Sequence, residues 1–568
     1  MNERRTRVAL AIAGGLLLAI AFPKINVAGL AWLAPGVILA SGFGADGRRA
    51  FRLGYLAGLV HFLCSLYWLL NMPVFKLFPF LAWAGLAAFL SLYPAAWVWL
   101  CWRAYPVPLR SGTDGLTGPM EQFLEASWPQ RMLWTASCAA LWVAWEMIQA
   151  RLFTGFPWNY LGASQYRMVP LLQLASGAGV YGVSFLVCWF GVSTLSASVL
   201  VLRRSQQPRR WIGDLAPALL VAISLVMFGF REVAEASIAA AAAARAAAIN
   251  SASNSAPATA VLHIGLVQPS IPQRWVWSSE DQARRFQQVL QLSESALTNQ
   301  PPPQLLVWPE AATPGYLRWD TNTYLPISNL VARHHVWLVL GADDASPRRD
   351  EPDPFRYDSY NSSFLVSPEG ELRRNYRKRR LVIFGEYIPF HQWIPAFERW
   401  TGMYSFTPGR EAVPFRIPEL HATTSVLICF EDTFPHHTRE YVDEDTDFLL
   451  NLTNNGWFGE SAAQWQHAAN AVFRAVENRC PLVRCANNGI SCWVDEWGRI
   501  HDLYFPDGTD VYGVGVKRVE VPLLNGRKRE PTFYHRYGDL FGWSCVLWSA
   551  LLVGWSFLRE RNRENSHA

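Results

Sequence analysis

Lysine is almost missing from this sequence. Five residues (Lys24, Lys76, Lys378, Lys517 and Lys528) stand against 45 arginines. None of the five follows a glycine, so there is no GxxxxGK[ST] loop to cradle phosphates. A GxSxG serine elbow is absent, and so is an HExxH pair of zinc ligands. The nine cysteines are scattered without a CxxC pair, and Cys64, Cys101, Cys138 and Cys188 lie in apolar segments, which argues against a disulfide scaffold and a zinc site. Charge is scarce as well: Asp, Glu, Lys and Arg make up 17% of the chain, with a net charge of +5. Many arginines flank apolar segments, a pattern that speaks for orientation in a membrane rather than nucleic-acid binding.

What the chain has in quantity is apolar surface. Hydrophobic residues are 51% of the 568, and tryptophan occurs 27 times. Eight apolar segments lie at about 8–22, 27–43, 51–71, 78–102, 132–150, 175–202, 212–230 and 540–557. Most are near the ~20 residues that cross a bilayer. The first is short enough to be a cleaved signal peptide, but a retained, tightly turned helix is the expected form. With a cytoplasmic N-terminus, Arg4, Arg5, Arg7, Arg48, Arg49, Arg52, Arg203, Arg204 and Arg559 all fall on one side, and the opposite short loops hold few basic residues. The positive-inside rule then puts residues 231–538 on the outer side, the periplasm in a bacterium. His61 and Glu146 are the notable ionisable residues within the spans, and such residues are functional candidates by default, with a structural hydrogen bond as the plainer role for Glu146. Gly177 to Gly182 match GxGxxG, but they open an apolar span and follow no soluble strand, so helix packing is expected there.

The predicted organisation is a transmembrane domain over 1–232 with seven spans, an Ala/Ser-rich linker over 233–260, a soluble α/β domain over 261–537, and a last span with its tail over 538–568. In the soluble part, strands are expected at Val261 to Val267, Leu305 to Trp308, Val336 to Leu340, Ser363 to Val366 with a hairpin around Pro368-Glu369-Gly370, the segment ending at Ile428, Phe448 to Leu452, and a further hairpin turning at Asp495 to Gly498. Helices are expected over about 279–299 and 462–478. Strands alternating with helices and hairpins suggest packed sheets flanked by helices.

Three strand ends carry reactive side chains. Val426-Leu427-Ile428 leads directly into Cys429, where a thiol at a sheet edge can meet a substrate. Trp308-Pro309-Glu310 puts a carboxylate just past a buried strand. Lys378 stands inside Arg377-Lys378-Arg379-Arg380. In a protein whose default base is arginine, a lone lysine marks a site where a compact ammonium is needed and a planar guanidinium will not serve. The plainer readings remain a buried small hydrophobe, a loop acid and a wet basic face. The pairs His334-His335 and His436-His437 are expected at the surface.

In this order and these contexts, Glu310, Lys378 and Cys429 resemble the Glu-Lys-Cys triad of the nitrilase superfamily. Tyr376 to Pro389, Asn454 to Gly459, Trp465-Gln466-His467, Asn487-Asn488-Gly489, Gly155-Phe156-Pro157-Trp158 and Tyr534 to Asp539 together resemble the apolipoprotein N-acyltransferase family. That resemblance implies a membrane α-helical bundle of about eight spans with an inserted nitrilase-like αββα sandwich. It implies transfer of an acyl chain from a phospholipid, through a cysteine thioester, to the α-amino group of the S-diacylglyceryl-cysteine that begins an apolipoprotein. Cys429 would be the nucleophile, Glu310 the base and Lys378 the oxyanion stabiliser. Glu386 and Glu431 would orient them, Trp277 would line the acyl path, and Phe430 stands where the family commonly has tyrosine. No metal or cofactor is implied. The implied partners are a phospholipid donor, a diacylglyceryl-modified acceptor and the bilayer of the bacterial inner membrane, without nucleic acid. Rival readings are a membrane-tethered amidase that gives its thioester to water, a transporter with a sensor domain, and a Cys-His protease using His467.

Overall fold

The computed structural model describes residues 3–74, 77–107, 119–202, 210–251, 261–274, 278–348, 357–388 and 405–567. The chain divides into two compact units. One comprises Met1–Val233, Ser461–Ala469 and Tyr537–Ala568, the other Ala234–Glu460 and Asn470–Arg536.

The first unit is helical. Among the described residues, four helices are long and apolar enough to cross a membrane: Leu77–Arg103, Ala175–Leu202, Arg210–Ala239 and Leu540–Arg559. The other four apolar segments are helical too, but shorter or more polar. Glu3–Ala21 begins with Glu3, Arg4, Arg5 and Arg7. The 27–43 segment is divided between Ala28–Trp32 and Ala34–Ser41. Gly47–Ser65 carries Arg48, Arg49 and Arg52 in its first turns, and Trp128–Gln149 carries Arg131 and Glu146. The span count of eight therefore rests on the segments rather than on helix length and hydropathy.

Small residues and tryptophans hold these helices together. A Cβ on Gly36 would fall 2.3 Å from the Gly191 carbonyl oxygen, so the two backbones touch where the side chains are absent. Indole N–H groups then bond to carbonyls of neighbouring helices: Trp97 donates to Cys138 O and Trp134 to Cys101 O, both at 2.8 Å. This is one physical reason for so many tryptophans, since each brings a large apolar body and a single donor. Arg131 makes a buried two-pronged pair with Asp214 (2.7 and 3.0 Å). Glu146 accepts from Trp142 Nε1 at 2.9 Å and from Leu161 N–H at 2.8 Å, which is the structural one of the two roles open to it in the sequence. Gln466 accepts from Trp68 Nε1 and Trp158 Nε1 (3.0 and 2.8 Å) and donates to Pro23 O and Ser65 O (2.8 and 3.1 Å). The separate sequence motifs around Trp158 and Gln466 thereby meet in one hydrogen-bonded knot.

The second unit holds two six-stranded sheets. The first has the order β12-β1-β2-β3-β4-β5, where β1 is Val261–Gln268, β2 Leu305–Val307, β3 Trp337–Pro347, β4 Tyr357–Val366, β5 Leu372–Arg377 and β12 Gly515–Pro522. The second has the order β11-β10-β9-β8-β7-β6, where β6 is Pro414–Ile417, β7 Ala422–Ile428, β8 Phe448–Thr453, β9 Leu482–Ala486, β10 Cys492–Val494 and β11 Ile500–His501. Strands β1, β2 and β3 run parallel, as do β7, β8 and β9. Apolar residues of the 279–298 and 321–334 helices (Phe286, Val289, Leu330, Val331) pack on Leu306, Trp308, Leu338 and Phe364. The two sheets face each other: Cys485 Sγ on β9 lies 3.3 Å from Val307 O on β2. The expected strands are all present, but β6, β9 and β12 were not singled out from the sequence. Strand β12 alternates buried and exposed residues and pairs antiparallel with the edge of β1.

Candidate active site

Parallel strands deliver the side chains that follow them to one edge of their sheet. Glu310 follows β2, and Lys378 follows β5. Strand β5 is antiparallel to β4, which is antiparallel to β3, so β5 ends at the same edge as β2 and β3. In the second sheet Cys429 follows β7, and Asn454 follows β8.

Cys429 sits at a sharp corner. Its φ is +52°, in the left-handed region that a non-glycine residue rarely adopts, between the extended Ile428 and a short 3-10 turn Cys429–Thr433. The corner is tied down from both sides. Asn451 Nδ2 donates to Cys429 O at 3.0 Å. Glu431 Oε2 accepts the Ile428 N–H at 2.7 Å, while its Oε1 accepts the Arg379 and Arg380 N–H groups at 2.8 and 3.1 Å. One buried carboxylate thus joins the cysteine corner to the segment just after Lys378. Burial opposes its charge, but His437, the Ile428 N–H and the Tyr376 hydroxyl hold Glu431 below the usual carboxylate range. Tyr376 donates to it at 2.7 Å, and His437 Nε2 lies 3.3 Å from Oε1. His437 is therefore not the surface residue expected from its His-His pair; it is buried at 2% exposure because Glu431 supplies a partner inside.

Glu310 and Lys378 are both buried, at 8% and 1% exposure. Lys378 Nζ donates to Glu310 Oε1 at 3.3 Å and to Glu386 Oε1 at 2.7 Å. Asn361 Nδ2, on β4, donates 2.8 Å bonds to the same two oxygens. Glu310 Oε2 accepts the Asn454 N–H at 2.9 Å, and Glu386 Oε2 accepts the Val382 N–H at 2.8 Å. Every carboxylate oxygen of the pair is thus held. Burial works against the charged form of Lys378, but Glu386, Glu310 and Cys429 outweigh it and raise its pKa above the ordinary value. Burial raises the Glu386 carboxyl, with Lys378 pulling the other way. Burial and then the charge of Glu310 push the Cys429 thiol up to about 12, against Lys378 and a hydrogen bond from Thr453. The arrangement is a half-buried thiol, a held carboxylate and a fixed cation within electrostatic reach of one another.

Residues 263–511 match the carbon-nitrogen hydrolase family model, and residues 14–193 match the model of the apolipoprotein N-acyltransferase N-terminal domain. An apolipoprotein N-acyltransferase of Geobacter metallireducens is 32% identical over 558 residues, which covers 97% of this chain and 95% of the relative. The chain belongs to the apolipoprotein N-acyltransferase family. A relative of that name from Vibrio cholerae is 28% identical, with 99% of each chain covered. Among solved structures, a mutant of the Nesterenkonia AN1 amidase from the nitrilase superfamily is 18% identical, covers 47% of this chain and 94% of its own, and has a TM-score of 0.34.

Of the residues that the family resemblance singled out, Glu310, Lys378, Glu386 and Cys429 come together, and Glu431 lies beneath the cysteine corner. Phe430 packs its ring edge-on against Phe434, centroids 5.1 Å apart. Trp277 lies outside the described residues. Sequence reading missed Asn361, Tyr376 as a partner of Glu431, Asn451 and Thr453. Each is an unremarkable residue within a strand, and only strand register gives it a neighbour. For Asn451 and Thr453 a signal exists: two polar residues two apart in an otherwise apolar buried strand, Phe448-Leu449-Leu450-Asn451-Leu452-Thr453.

Proposed function

We propose that this protein transfers an acyl chain from a phospholipid to the α-amino group of the N-terminal S-diacylglyceryl-cysteine of an apolipoprotein, through a thioester on Cys429. The observation that carries the reading is the buried Glu310–Lys378–Glu386 cluster at the edge where the Cys429 corner lies. A thiol pushed up to about 12 rests protonated, so it attacks only as a base removes its proton. Glu310 is that base. As the sulfur adds to the ester carbonyl, Glu310 takes the thiol proton and then gives it to the departing lysophospholipid oxygen. Lys378, held cationic by its two carboxylates, keeps its proton and stabilises the tetrahedral oxyanion as a point charge. In the second half, the acceptor amine attacks the thioester, Glu310 takes the amine proton, and the sulfur leaves and recovers it. Glu386 fixes Lys378 by its 2.7 Å bond, and Glu431 fixes the corner. Trp277 contributes to the acyl path, and Phe430 supports the cysteine corner or contacts substrate.

The same reading assigns seven spans to residues 1–232, a linker to 233–260, the catalytic domain to 261–537 and a final span to 538–568. The domain faces the periplasm and the spans sit in the inner membrane, as the arginine asymmetry supports. The deciding experiment is mass spectrometry of purified protein incubated with phospholipid. An acyl adduct on the Cys429 peptide, discharged by a diacylglyceryl-cysteine peptide, is expected. An adduct elsewhere, or discharge to water alone, overturns the reading.

A further inference from the structure

The parallel register of β7 and β8 pairs Ile428 with Leu452. One step on, that register sets Thr453 beside Cys429. Side chains two apart on a strand share a face, so Asn451 and Thr453 point the same way. Asn451 donates to the Cys429 carbonyl at 3.0 Å, and Thr453 Oγ1 lies 3.3 Å from Cys429 Sγ, within hydrogen-bonding distance for sulfur. Thr453 is fully buried, β-branched and held at both ends, because β9 pairs it with Ala486 and its carbonyl accepts the Asn487 N–H at 2.9 Å. Its hydroxyl is therefore aimed by the sheet and is not free to search for another position.

We infer that the Thr453 hydroxyl is a further catalytic group, which donates a hydrogen bond to the Cys429 sulfur whenever that sulfur carries negative charge. This rests on Cys429 being the acylated nucleophile. Sulfur becomes negative twice in the reaction: as its proton passes to Glu310 before the S–C bond forms, and as that S–C bond breaks when the amine displaces it. Lys378 favours the thiolate through space, but its hydrogen bonds go to Glu310 and Glu386. The other charged groups that act on Cys429 are Glu310 and Glu386, both negative, and they oppose the thiolate. A neutral donor fixed on β8 supplies what they do not. Acyl transfer runs through the sulfur in both halves, so one hydroxyl serves both.

The test uses full-length protein in mixed micelles with dipalmitoylphosphatidylethanolamine, and follows acyl-enzyme formation on the Cys429 peptide by mass spectrometry. Alkylation of Cys429 by iodoacetamide is followed across pH in parallel. Thr453→Val keeps the shape and removes the donor; Thr453→Ser keeps the donor. Loss of a hydrogen bond to a charged group predicts that Thr453→Val forms acyl-enzyme about 10–100-fold more slowly, with its alkylation midpoint moved to higher pH, while Thr453→Ser stays within about threefold of wild type. A Thr453→Val rate within about twofold of wild type and an unmoved midpoint would overturn the inference. So would a Thr453→Ser variant that falls as far as the valine, since the residue would then only pack. The Cys429→Ala control separates the two levels. Adduct persisting there removes the nucleophile assignment and this inference with it; adduct lost there but formed at full rate by Thr453→Val removes the hydroxyl alone.

Discussion

Each sheet of the sandwich is built on three parallel strands, β1–β3 in one and β7–β9 in the other, yet their strand ends carry different chemistry. The first sheet ends in charge: Glu310 after β2, Lys378 after β5, and the Asp343 carboxylate on β3. The second ends in a thiol: Cys429 follows β7, its neighbours on β8 are the neutral Asn451 and Thr453, and the Glu431 carboxylate lies beneath its corner. Charge is expensive to bury and needs partners, so the first sheet binds its carboxylates and ammonium into a closed set of bonds. The thiol needs no ion partner at rest, and the second sheet holds it by backbone geometry, a positive-φ corner fixed by the Asn451 amide and the Glu431 carboxylate. A reaction that creates charge only briefly is served by this division. On the proposed mechanism the ammonium of Lys378 and its two carboxylate partners belong to the first sheet, and the sulfur that becomes charged sits on the second.

This division predicts a graded set of effects. Removing the thiol by Cys429→Ala should abolish the acyl-enzyme altogether, measured as acyl label on the protein, with the fold unchanged in thermal unfolding because a small, half-buried side chain is replaced by a smaller one. Glu310→Gln should slow transfer by ~10²–10⁴-fold, the usual cost of losing a general base. Its two oxygens accept from Asn361, Lys378 and the Asn454 N–H, and an amide accepts through only one of its two atoms, so the glutamine also leaves a donor unmatched. Lys378→Arg should lose about 10²–10³-fold, the cost of an oxyanion donor, because a fully buried ammonium bonded to two carboxylates leaves no room for the longer planar fork. Arg379→Lys is the paired control. Its side chain is 22% exposed and pairs with Glu440, so activity should stay close to wild type.

Much of this division could be read before any coordinates. The end of an apolar run at Cys429, the isolated Lys378 among arginines and Glu310 past a tryptophan each announced a strand edge. What escaped was everything that depends on which strands are neighbours. Asn361 is one of several polar residues in Tyr357–Val366, and nothing in that segment says that its amide will bridge Glu310 and Glu386. His437 looked like half of a surface pair because the local sequence is polar; its partners, Glu431 and Tyr441, are supplied by the fold. In the helical unit the apolar segments were legible, but the helix ends were not: Gly47–Ser65 takes in Arg48, Arg49 and Arg52 in its first turns, ahead of the apolar run.

The smallest predicted effect concerns the charge surplus of the first sheet. Asp343 sits on β3 directly across from Asn361, the residue that bridges Glu310 and Glu386. Burial first, and then the negative charges of Glu310 and Glu386, push its carboxyl up to about 7. A carboxyl whose pKa is raised on folding binds more protons in the folded chain than in the unfolded one. Its effect on stability is therefore absent below its unfolded pKa of about 4, and stability is progressively lost as pH rises from there to about 7. Asp343→Asn should remove that slope. The thermal midpoint of the variant should exceed that of wild type at pH 8, and the difference should shrink toward pH 5, where wild-type Asp343 is protonated and resembles the amide. Glu310→Gln, which removes one of the charges acting on Asp343, should flatten the same slope in part. A difference between Asp343→Asn and wild type that is constant from pH 5 to pH 8 would mean that Asp343 is not coupled to the two glutamates, and that the first sheet carries no surplus charge beyond the pairs that Lys378 closes.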